Sequence, residues 1–247
     1  MNRSTDARPA DAKRVAIIQS NYIPWKGYFD IINQVDELIL YDDRQYTRRD
    51  WRNRNLIKTP RGLHWLTIPV HVKGRYTQRI DETLINDPQW PARHWKTIEQ
   101  TYSRAPHFET FRDAIGGLYA ESVEARLSDV NRRFLEGISR LLGIGTRFAW
   151  STDYEAGGDR TERLVSLCRS AGATEYLSGP SARDYIDEAQ FREAGIRLTY
   201  VDYSGYPEYP QLDGPFEHGV TILDLLFNTG PNAPAYMKSF SSQAVAP

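Results

Sequence analysis

The chain has 247 residues, a net charge of −1, 40% hydrophobic and 26% charged residues, which suits one elaborated globular domain or two small ones. It contains no apolar run near the roughly 18 residues that a membrane span requires, so we expect no membrane insertion. A single cysteine excludes an internal disulfide and a multi-cysteine metal site, and a cytoplasmic location follows as an expectation.

The first part of the chain predicts a disordered leader followed by a β-α-β unit. Residues 1–13 are polar and lack the apolar segment of a secretory signal. An apolar β-branched run at residues 15–19 predicts a buried parallel strand, residues 29–35 have helical spacing, and residues 37–41 predict a second strand. Ligands of open α/β sheets bind beyond the carboxyl ends of the strands, so residues 19–28 and 42–43 should border one crevice.

A basic, aromatic stretch follows within the unit formed by residues 14–90. Between Arg44 and Arg61 there are seven basic residues against one acidic residue, which suggests an anionic ligand, with a solvated basic hairpin as an equal alternative on charge alone. Residues 63–72 predict an extended strand in a hairpin or flap. If residues 51–55 (WRNRN) are extended, the indole and the two amides share one face and the two arginines the other.

The remaining residues predict an α/β protein with a Rossmann-like, mainly parallel sheet, a β-hairpin region and a three-helix insertion. Helical spacing defines the insertion at residues 91–145, and residues 146–232 complete the same domain before a tail at 233–247. Asp159 and Glu162 predict a capping box, for a helix that ends before Gly172. We predict strands at 146–151, 175–178 and 196–203, and helices at 184–194 and 220–228.

Candidate substrate-binding residues cluster in the first half, where aromatic, amide and guanidinium groups could stack a base or sugar and bind phosphate. The alternative is a surface strand in which Arg54 forms a buried ion pair with the Asp42–Asp43 pair. The candidates are Gln19, Asn21, Tyr22, Trp25, Lys26, Tyr28, Arg48, Arg49, Trp51, Asn53, Arg54 and Asn55.

Three residues are candidates for catalysis. Asp42 and Asp43 end a predicted strand, where one could act as general base or bind a divalent cation, although loop-capping carboxylates are an equal alternative. Adjacent residues of an extended chain point to opposite sides, so only one should serve the site. His218 lies beside a tyrosine-rich segment and could act as an acid or base. No histidine has metal-ligand spacing.

The second half is acidic, with fourteen Asp or Glu against six Arg between residues 151 and 232. Ser178 and Gly179 form a turn at a strand end that could offer N–H groups to an anion, or serve only as a turn. Tyr185 and Gln211 belong to a tyrosine-rich wall suited to a sugar, with aromatic packing over the sheet as the alternative.

The sequence resembles the WbqC-like protein family over nearly all of the chain after the leader. The resemblance is carried by six segments: Gln19 with Pro24, Gly27, Tyr28 and Phe29; Tyr41 to Asp43; Trp51 with Asn53, Arg54 and Asn55; Lys96 to Ile98; residues 174–180; and residues 221–228. The family is associated with O-antigen and surface polysaccharide gene clusters, which implies a bacterial biosynthetic enzyme acting on sugar precursors.

A weaker resemblance links the opening β-α-β unit to the HIGH-motif nucleotidyltransferases. In that superfamily a His-x-Gly-His loop opens the first helix beside a nucleotide, and the histidines donate to phosphate. Residues Trp25, Lys26, Gly27 and Tyr28 occupy those four positions, so both histidines are absent. Lys26 could replace them as a phosphate donor.

These observations leave three functions in competition. The leading hypothesis is a transferase that moves a small acyl or aminoacyl group to the amine of a nucleotide-linked amino sugar, with an acyl or aminoacyl carrier as partner. The second is a nucleotidyltransferase or ATP-dependent ligase, with a nucleotide and with or without a divalent cation as cofactor. The third is single-stranded nucleic-acid binding, which the acidic second half argues against.

Overall fold

The structure, a computed structural model, describes residues 12–241, so residues 1–11 of the expected leader and 242–247 of the expected tail lie outside the described residues. Its strands are β1 (Arg14–Ile18), β2 (Glu37–Leu40), β3 (Arg54–Thr59), β4 (Gly62–Thr67), β5 (Arg147–Trp150), β6 (Glu175–Ser178) and β7 (Arg197–Tyr200). Five of them form a parallel sheet in the order β5-β2-β1-β6-β7, and β3 with β4 forms a separate antiparallel hairpin. The α/β prediction is confirmed.

Both faces of the parallel sheet are covered, which explains its short apolar strands. Alternate residues of β1 and β2 enter different cores, because side chains of a strand alternate between its faces. Ala16 and Leu40 belong to the larger core, whereas Val15, Ile17 and Ile39 pack into the smaller one.

The helices divide between these two faces and the long connection from β2 to β5. They are α1 (Lys26–Asn33), α2 (Trp90–Tyr102), α3 (Phe108–Ala120), α4 (Leu127–Leu141), α5 (Arg160–Ser170), α6 (Glu188–Glu193), α7 (Ile222–Thr229) and α8 (Lys238–Ser241). Helices α2 to α4 form the predicted three-helix insertion, and the β3–β4 hairpin precedes them in the same connection. Asp159 and Glu162 form the predicted capping box of α5.

Several predicted boundaries were wrong for local reasons. Strand β4 stops at Thr67 instead of residue 72, since Pro69 has no N–H to continue the ladder. The helix expected at 184–194 is only α6, whose N-cap Asp187 accepts a hydrogen bond from Ala189 N–H. Strand β7 ends at Tyr200, three residues before the predicted end.

The extended conformation considered for residues 51–55 is present only in Arg54 and Asn55, which begin β3. Asp50 accepts a hydrogen bond from Trp51 N–H (2.7 Å) and another from Thr47 Oγ1 (2.5 Å), so the chain turns before the hairpin begins at Arg54. Arg49, in the same turn, has the left-handed backbone angle φ 58°. The simple alternation of faces therefore does not apply to Trp51 and Asn53.

The strand order places a topological switch between β1 and β6, because the chain runs from β1 to β2 and β5 on one side and then crosses to β6 and β7 on the other. The loop after β1 leads directly to α1, and the hairpin packs against this loop. Residues of the two elements meet beyond the carboxyl ends of the strands, where a Rossmann-like protein binds its ligand.

Candidate functional site

A pocket of about 300 Å³ lies where the loop after β1 meets the start of the hairpin and the segment before α7. We call it the aromatic pocket. Its walls include two tryptophans from different elements and one histidine from a distant part of the chain. The lining residues are Asn21, Pro24, Trp25, Trp51, Asn55, His218 and Gly219.

Hydrogen bonds from backbone N–H groups and from one asparagine side chain hold the three segments of the aromatic pocket together. Tyr22 N–H donates to Trp51 O (3.1 Å), and the Asn55 amide nitrogen donates to Tyr22 O (3.0 Å) and Ile23 O (2.9 Å). Ile222 N–H donates to Pro24 O (2.9 Å), which fixes the segment containing His218 against the same loop. Asn55 is therefore a framework residue of the pocket, with its amide nitrogen committed to the loop.

Trp25 forms one wall, and Gly27 makes its position possible. Trp25 is the N-cap of α1, and its ring packs edge-on against Tyr203 (5.2 Å) and Tyr206 (5.4 Å). A Cβ added at Gly27 would lie 2.3 Å from Trp25 Cζ2, because the indole lies across the first turn of the helix. Glycine is needed here for the close approach of the indole.

The opposite wall is an exposed tryptophan. The side chain of Trp51 is 42% exposed, and its ring lies 5.3 Å from the ring of Trp65, which is 39% exposed. Arg54 covers the other ring, with its guanidinium carbon 4.0 Å from the Trp65 centroid. Large apolar rings left open to solvent beside a pocket are typical of a stacking surface for a ligand.

Two polar groups of the aromatic pocket are free to meet a ligand. Within residues 12–241, His218 forms no side-chain hydrogen bond, and its one aromatic contact there is an edge contact with Phe216 at 4.5 Å between centroids. Asn21 accepts a hydrogen bond from Arg52 at its amide oxygen, and its amide nitrogen has no partner within the same residues. The amide nitrogen of Asn21 and the imidazole of His218 are therefore both available in a pocket bounded by aromatic rings.

Lys26 does not occupy the position expected of a phosphate donor. Its side chain is 3% exposed, and the ammonium donates to Pro207 O (2.7 Å) and lies about 5 Å from the rings of Tyr206 and Tyr209. Burial lowers the pKa of Lys26 to about 8, against the opposing charge of Asp30. Lys26 fixes the segment after β7 over the start of α1.

A second pocket of about 330 Å³ lies at the other side of residues 49–54, and we call it the basic pocket. Four of the candidate residues lie here rather than in the aromatic pocket. Its lining consists of Tyr46, Arg48, Arg49, Asn53, Arg54, residues 67–70 and Val72. Trp65 connects the two pockets, because it contacts Trp51 on one side and Arg54 on the other.

Asp42 is a buried structural acceptor in this structure. Its carboxylate, 1% exposed, accepts hydrogen bonds from Ser20 N–H (2.7 Å), Ser20 Oγ (2.6 Å) and Ser128 Oγ (2.7 Å). Burial raises the pKa of Asp42, although these hydrogen bonds oppose the shift. The carboxylate connects the loop after β1 to the start of α4.

Asp43 follows Asp42 in the turn after β2 and has a different set of partners. It accepts hydrogen bonds from Arg44 (2.9 Å), Arg163 (2.5 Å) and Ser151 Oγ (2.9 Å). Burial alone would raise the pKa of Asp43, but the bonds from Arg44 and Ser151 and the two positive charges bring it below its usual value. The expected pair between Arg54 and these aspartates was wrong, because Arg54 donates instead to Arg49 O.

Both aspartates line a third cavity of about 170 Å³, beyond the carboxyl ends of β2 and β5. Asp81 and Asp129 also line it. Nevertheless, among residues 12–241 no three His, Cys, Asp or Glu side chains are grouped so that they could hold a metal ion. Neither Asp42 nor Asp43 lines the aromatic pocket.

The other predicted residues lie apart from the two pockets. Tyr22 is fully buried and its hydroxyl bonds to His94 Nδ1 (2.9 Å) and Tyr119 (2.6 Å), while Tyr28 donates to Gln19 O (3.0 Å). These contacts belong to the core and to the loop after β1.

The substrate-binding residues predicted in the second half also line neither pocket. Ser178 is buried at the end of β6, Gly179 is the N-cap of a 3₁₀ turn, and Tyr185 is 52% exposed. Gln211 bridges buried groups, since its amide nitrogen donates to Asp224 (2.8 Å) and its oxygen accepts from Lys58 (2.8 Å). These contacts give Gln211 a structural role.

Sequence reasoning missed Trp65 and Gly219. A signal for Trp65 existed, since the alternation of residues 63–67 places Leu63 and Trp65 on one face of a strand, where both are exposed. No local pattern marks Gly219, which reaches the aromatic pocket only through the packing of α7 against the loop after β1.

The fold is that of a Rossmann-like α/β protein, and the aromatic pocket beyond its first strand is its candidate site. None of the helices described between residues 12 and 241 is long and apolar enough to cross a membrane. The sequence profile of the WbqC-like protein family matches residues 19–236, and the chain belongs to this family.

One similar protein extends the comparison. The chain is 57% identical over 226 residues to the uncharacterized protein Rv1507c of Mycobacterium tuberculosis (strain ATCC 25618 / H37Rv), covering 92% of this chain and 98% of that protein. No solved structure matches the chain.

Proposed function

We propose that this chain is a transferase that binds a nucleotide-linked amino sugar and moves a small acyl or aminoacyl group to the sugar amine. The observation that carries the proposal is the aromatic pocket, in which Trp25, Trp51 and His218 meet from three separate segments. Aromatic faces suit a sugar or base, and the imidazole is the side chain that exchanges protons near neutral pH.

The proposed reaction needs an activated acyl donor, a thioester or ester carried by a small molecule or a carrier. The neutral sugar amine attacks the carbonyl carbon, the new C–N bond forms, and the bond from carbon to sulfur or oxygen breaks. His218 accepts the proton that the amine loses and returns it to the leaving group. Asn21 donates from its free amide nitrogen to a sugar hydroxyl.

A second candidate, nucleotidyl transfer, is supported by the sheet order and by the pocket at the start of α1. The residues at the two histidine positions are committed elsewhere, because Trp25 packs on Tyr203 and Tyr206 and Tyr28 is buried with its hydroxyl on Gln19 O. The aromatic pocket thus offers stacking faces where that chemistry requires phosphate donors.

The test combines binding and turnover on the full chain. Nucleoside-diphosphate hexosamines with a free amine should raise the melting temperature of the wild type. Trp51→Ala should abolish the shift, whereas Trp150→Phe, which changes a tryptophan outside the aromatic pocket, should retain it. His218→Asn should bind with unchanged affinity and lose acyl transfer, and His71→Asn is the exposed-histidine control. Pyrophosphate release from a nucleoside triphosphate, without acyl transfer, would overturn the proposal in favour of nucleotidyl transfer.

A further inference from the structure

The basic pocket combines positive charge with an absence of carboxylates along its walls. Three arginines, Arg48, Arg49 and Arg54, line it together with Asn53 and apolar residues. Asp50 lies in the same turn, but its carboxylate accepts from Thr47 Oγ1 and Trp51 N–H and pairs with Arg52 at 3.8 Å. The positive charges of the pocket are therefore not neutralised by an acid that lines it.

The arginines of the basic pocket have unused hydrogen-bonding capacity. Arg49 forms no side-chain hydrogen bond or ion pair within residues 12–241, and Arg54 uses one terminal nitrogen on Arg49 O. Arg48 donates to Val72 O (2.5 Å) and lies over the ring of Tyr76. Guanidinium groups with free N–H donors, held in fixed positions by stacking, are suited to bind phosphate oxygens.

Two buried polar atoms at the wall lack partners. Asn53 is 6% exposed, and its amide nitrogen donates to Ile68 O (2.8 Å) while its oxygen has no partner; the Nε of Arg54 has none either. Buried polar atoms without a partner are costly, so a ligand group that bonds to either atom would be favoured. The oxygen of Asn53 suits a hydroxyl donor, and the Nε of Arg54 suits a phosphate oxygen.

We infer that the basic pocket binds the diphosphate of the ligand whose sugar occupies the aromatic pocket. Trp51, Trp65 and Arg54 form a row of contacts between the two pockets: the tilted rings of Trp51 and Trp65 lie 5.3 Å apart, and the guanidinium carbon of Arg54 lies 4.0 Å from the Trp65 centroid. A nucleotide-linked sugar has its diphosphate beside the sugar ring and can span this row of contacts. The choice of ligand rests on the proposed function; the binding of diphosphate does not.

Calorimetric titration with inorganic pyrophosphate tests the inference on the full chain. Arg49→Gly is the key variant, because the backbone of Arg49 has φ 58°, which glycine adopts without strain. It should keep the wild-type melting temperature and weaken pyrophosphate binding at least about tenfold, the loss expected for hydrogen bonds to a charged group. Arg61→Ala removes an equal charge from the exposed hairpin turn and should change the affinity less than about twofold.

The outcomes separate this inference from the proposed function. Absence of pyrophosphate binding, or equal losses in Arg49→Gly and Arg61→Ala, overturns it. If pyrophosphate binds as expected but nucleotide-linked hexosamines bind no better, the diphosphate site stands and the proposed substrate fails. A nucleotide-linked sugar should lose affinity in both Arg49→Gly and Trp51→Ala. If only Arg49→Gly weakens binding of the nucleotide-linked sugar, the diphosphate site stands and the placement of the sugar in the aromatic pocket is overturned.

Discussion

Replacing Gly27 by alanine should displace the wall of the aromatic pocket without unfolding the protein. The new Cβ would lie 2.3 to 2.7 Å from three carbons of the Trp25 ring, whereas carbon atoms pack at about 3.5 Å or more, so the indole must move by about 1 Å. The backbone at Gly27 does not have positive φ, and alanine is a better helix former by up to about 1 kcal/mol.

Displacement of the indole should lower the stability of the fold only slightly but weaken ligand binding strongly. Trp25 would weaken its contacts with Tyr203 and Tyr206, which are worth about 0.5 to 1.5 kcal/mol each. The gain in helix propensity offsets part of this loss, so Gly27→Ala should lower the free energy of unfolding by no more than about 2 kcal/mol. Binding of a nucleotide-linked hexosamine should weaken at least about tenfold, since the stacking wall has moved.

The assay is urea unfolding together with calorimetric binding, and the chain supplies a matched control. Gly117 lies in α3, and an added Cβ would meet nothing within 4 Å, so Gly117→Ala should leave binding unchanged and raise stability slightly. The double variant Trp25→Ala with Gly27→Ala should show strong non-additivity in stability, because removal of the ring removes the clash. Additive effects together with wild-type binding in Gly27→Ala would refute the assigned position of Trp25.

Three further predictions concern buried titratable groups. Burial lowers the pKa of His94 to about 4. The free energy of unfolding should therefore fall by about 2 kcal/mol from pH 7.5 to 5, because the unfolded state gains a proton that the folded state does not bind. Urea unfolding of His94→Gln should show a smaller fall. Because the pKa of Lys26 is lowered to about 8, the wild type should gain about 1 to 2 kcal/mol in free energy of unfolding relative to Lys26→Met between pH 7.5 and 9.5. If the free energies of unfolding of the two proteins change with pH in parallel, the burial of Lys26 is contradicted. Asp42→Asn should lower the free energy of unfolding by about 2 to 4 kcal/mol, since its amide nitrogen would face hydroxyl and N–H donors; a wild-type melting temperature would refute this structural role.

The sequence predicted those parts of the fold that depend on local periodicity. The strands at 15–19 and 175–178 and the capping box at Asp159 each follow from neighbouring residues alone. The turn within residues 51–55 was not predicted, because it depends on Asp50 and on the left-handed Arg49, which turn the chain before β3.

Several residues of the candidate site were predicted from the sequence, but their arrangement in space was not. The aromatic loop, Trp51 and His218 were recognised as separate candidates, and the fold brings them to one pocket. Their division into an aromatic and a basic pocket was not predicted, because it depends on the turn that precedes β3. The structural roles of Asp42 and Gln211 depend on partners such as Ser128 and Lys58, which are far away in the sequence.

The indole N–H signals of the six tryptophans give the most direct test of the aromatic pocket. Each tryptophan contributes one such signal to a ¹⁵N-correlated NMR spectrum of the full chain. On addition of a nucleoside-diphosphate hexosamine, the signals of Trp25, Trp51 and Trp65 should shift, and those of Trp90, Trp95 and Trp150 should stay in place. A shift confined to Trp150, beside the cavity of Asp42 and Asp43, or no shift of Trp25 and Trp51, would contradict the assignment of the site.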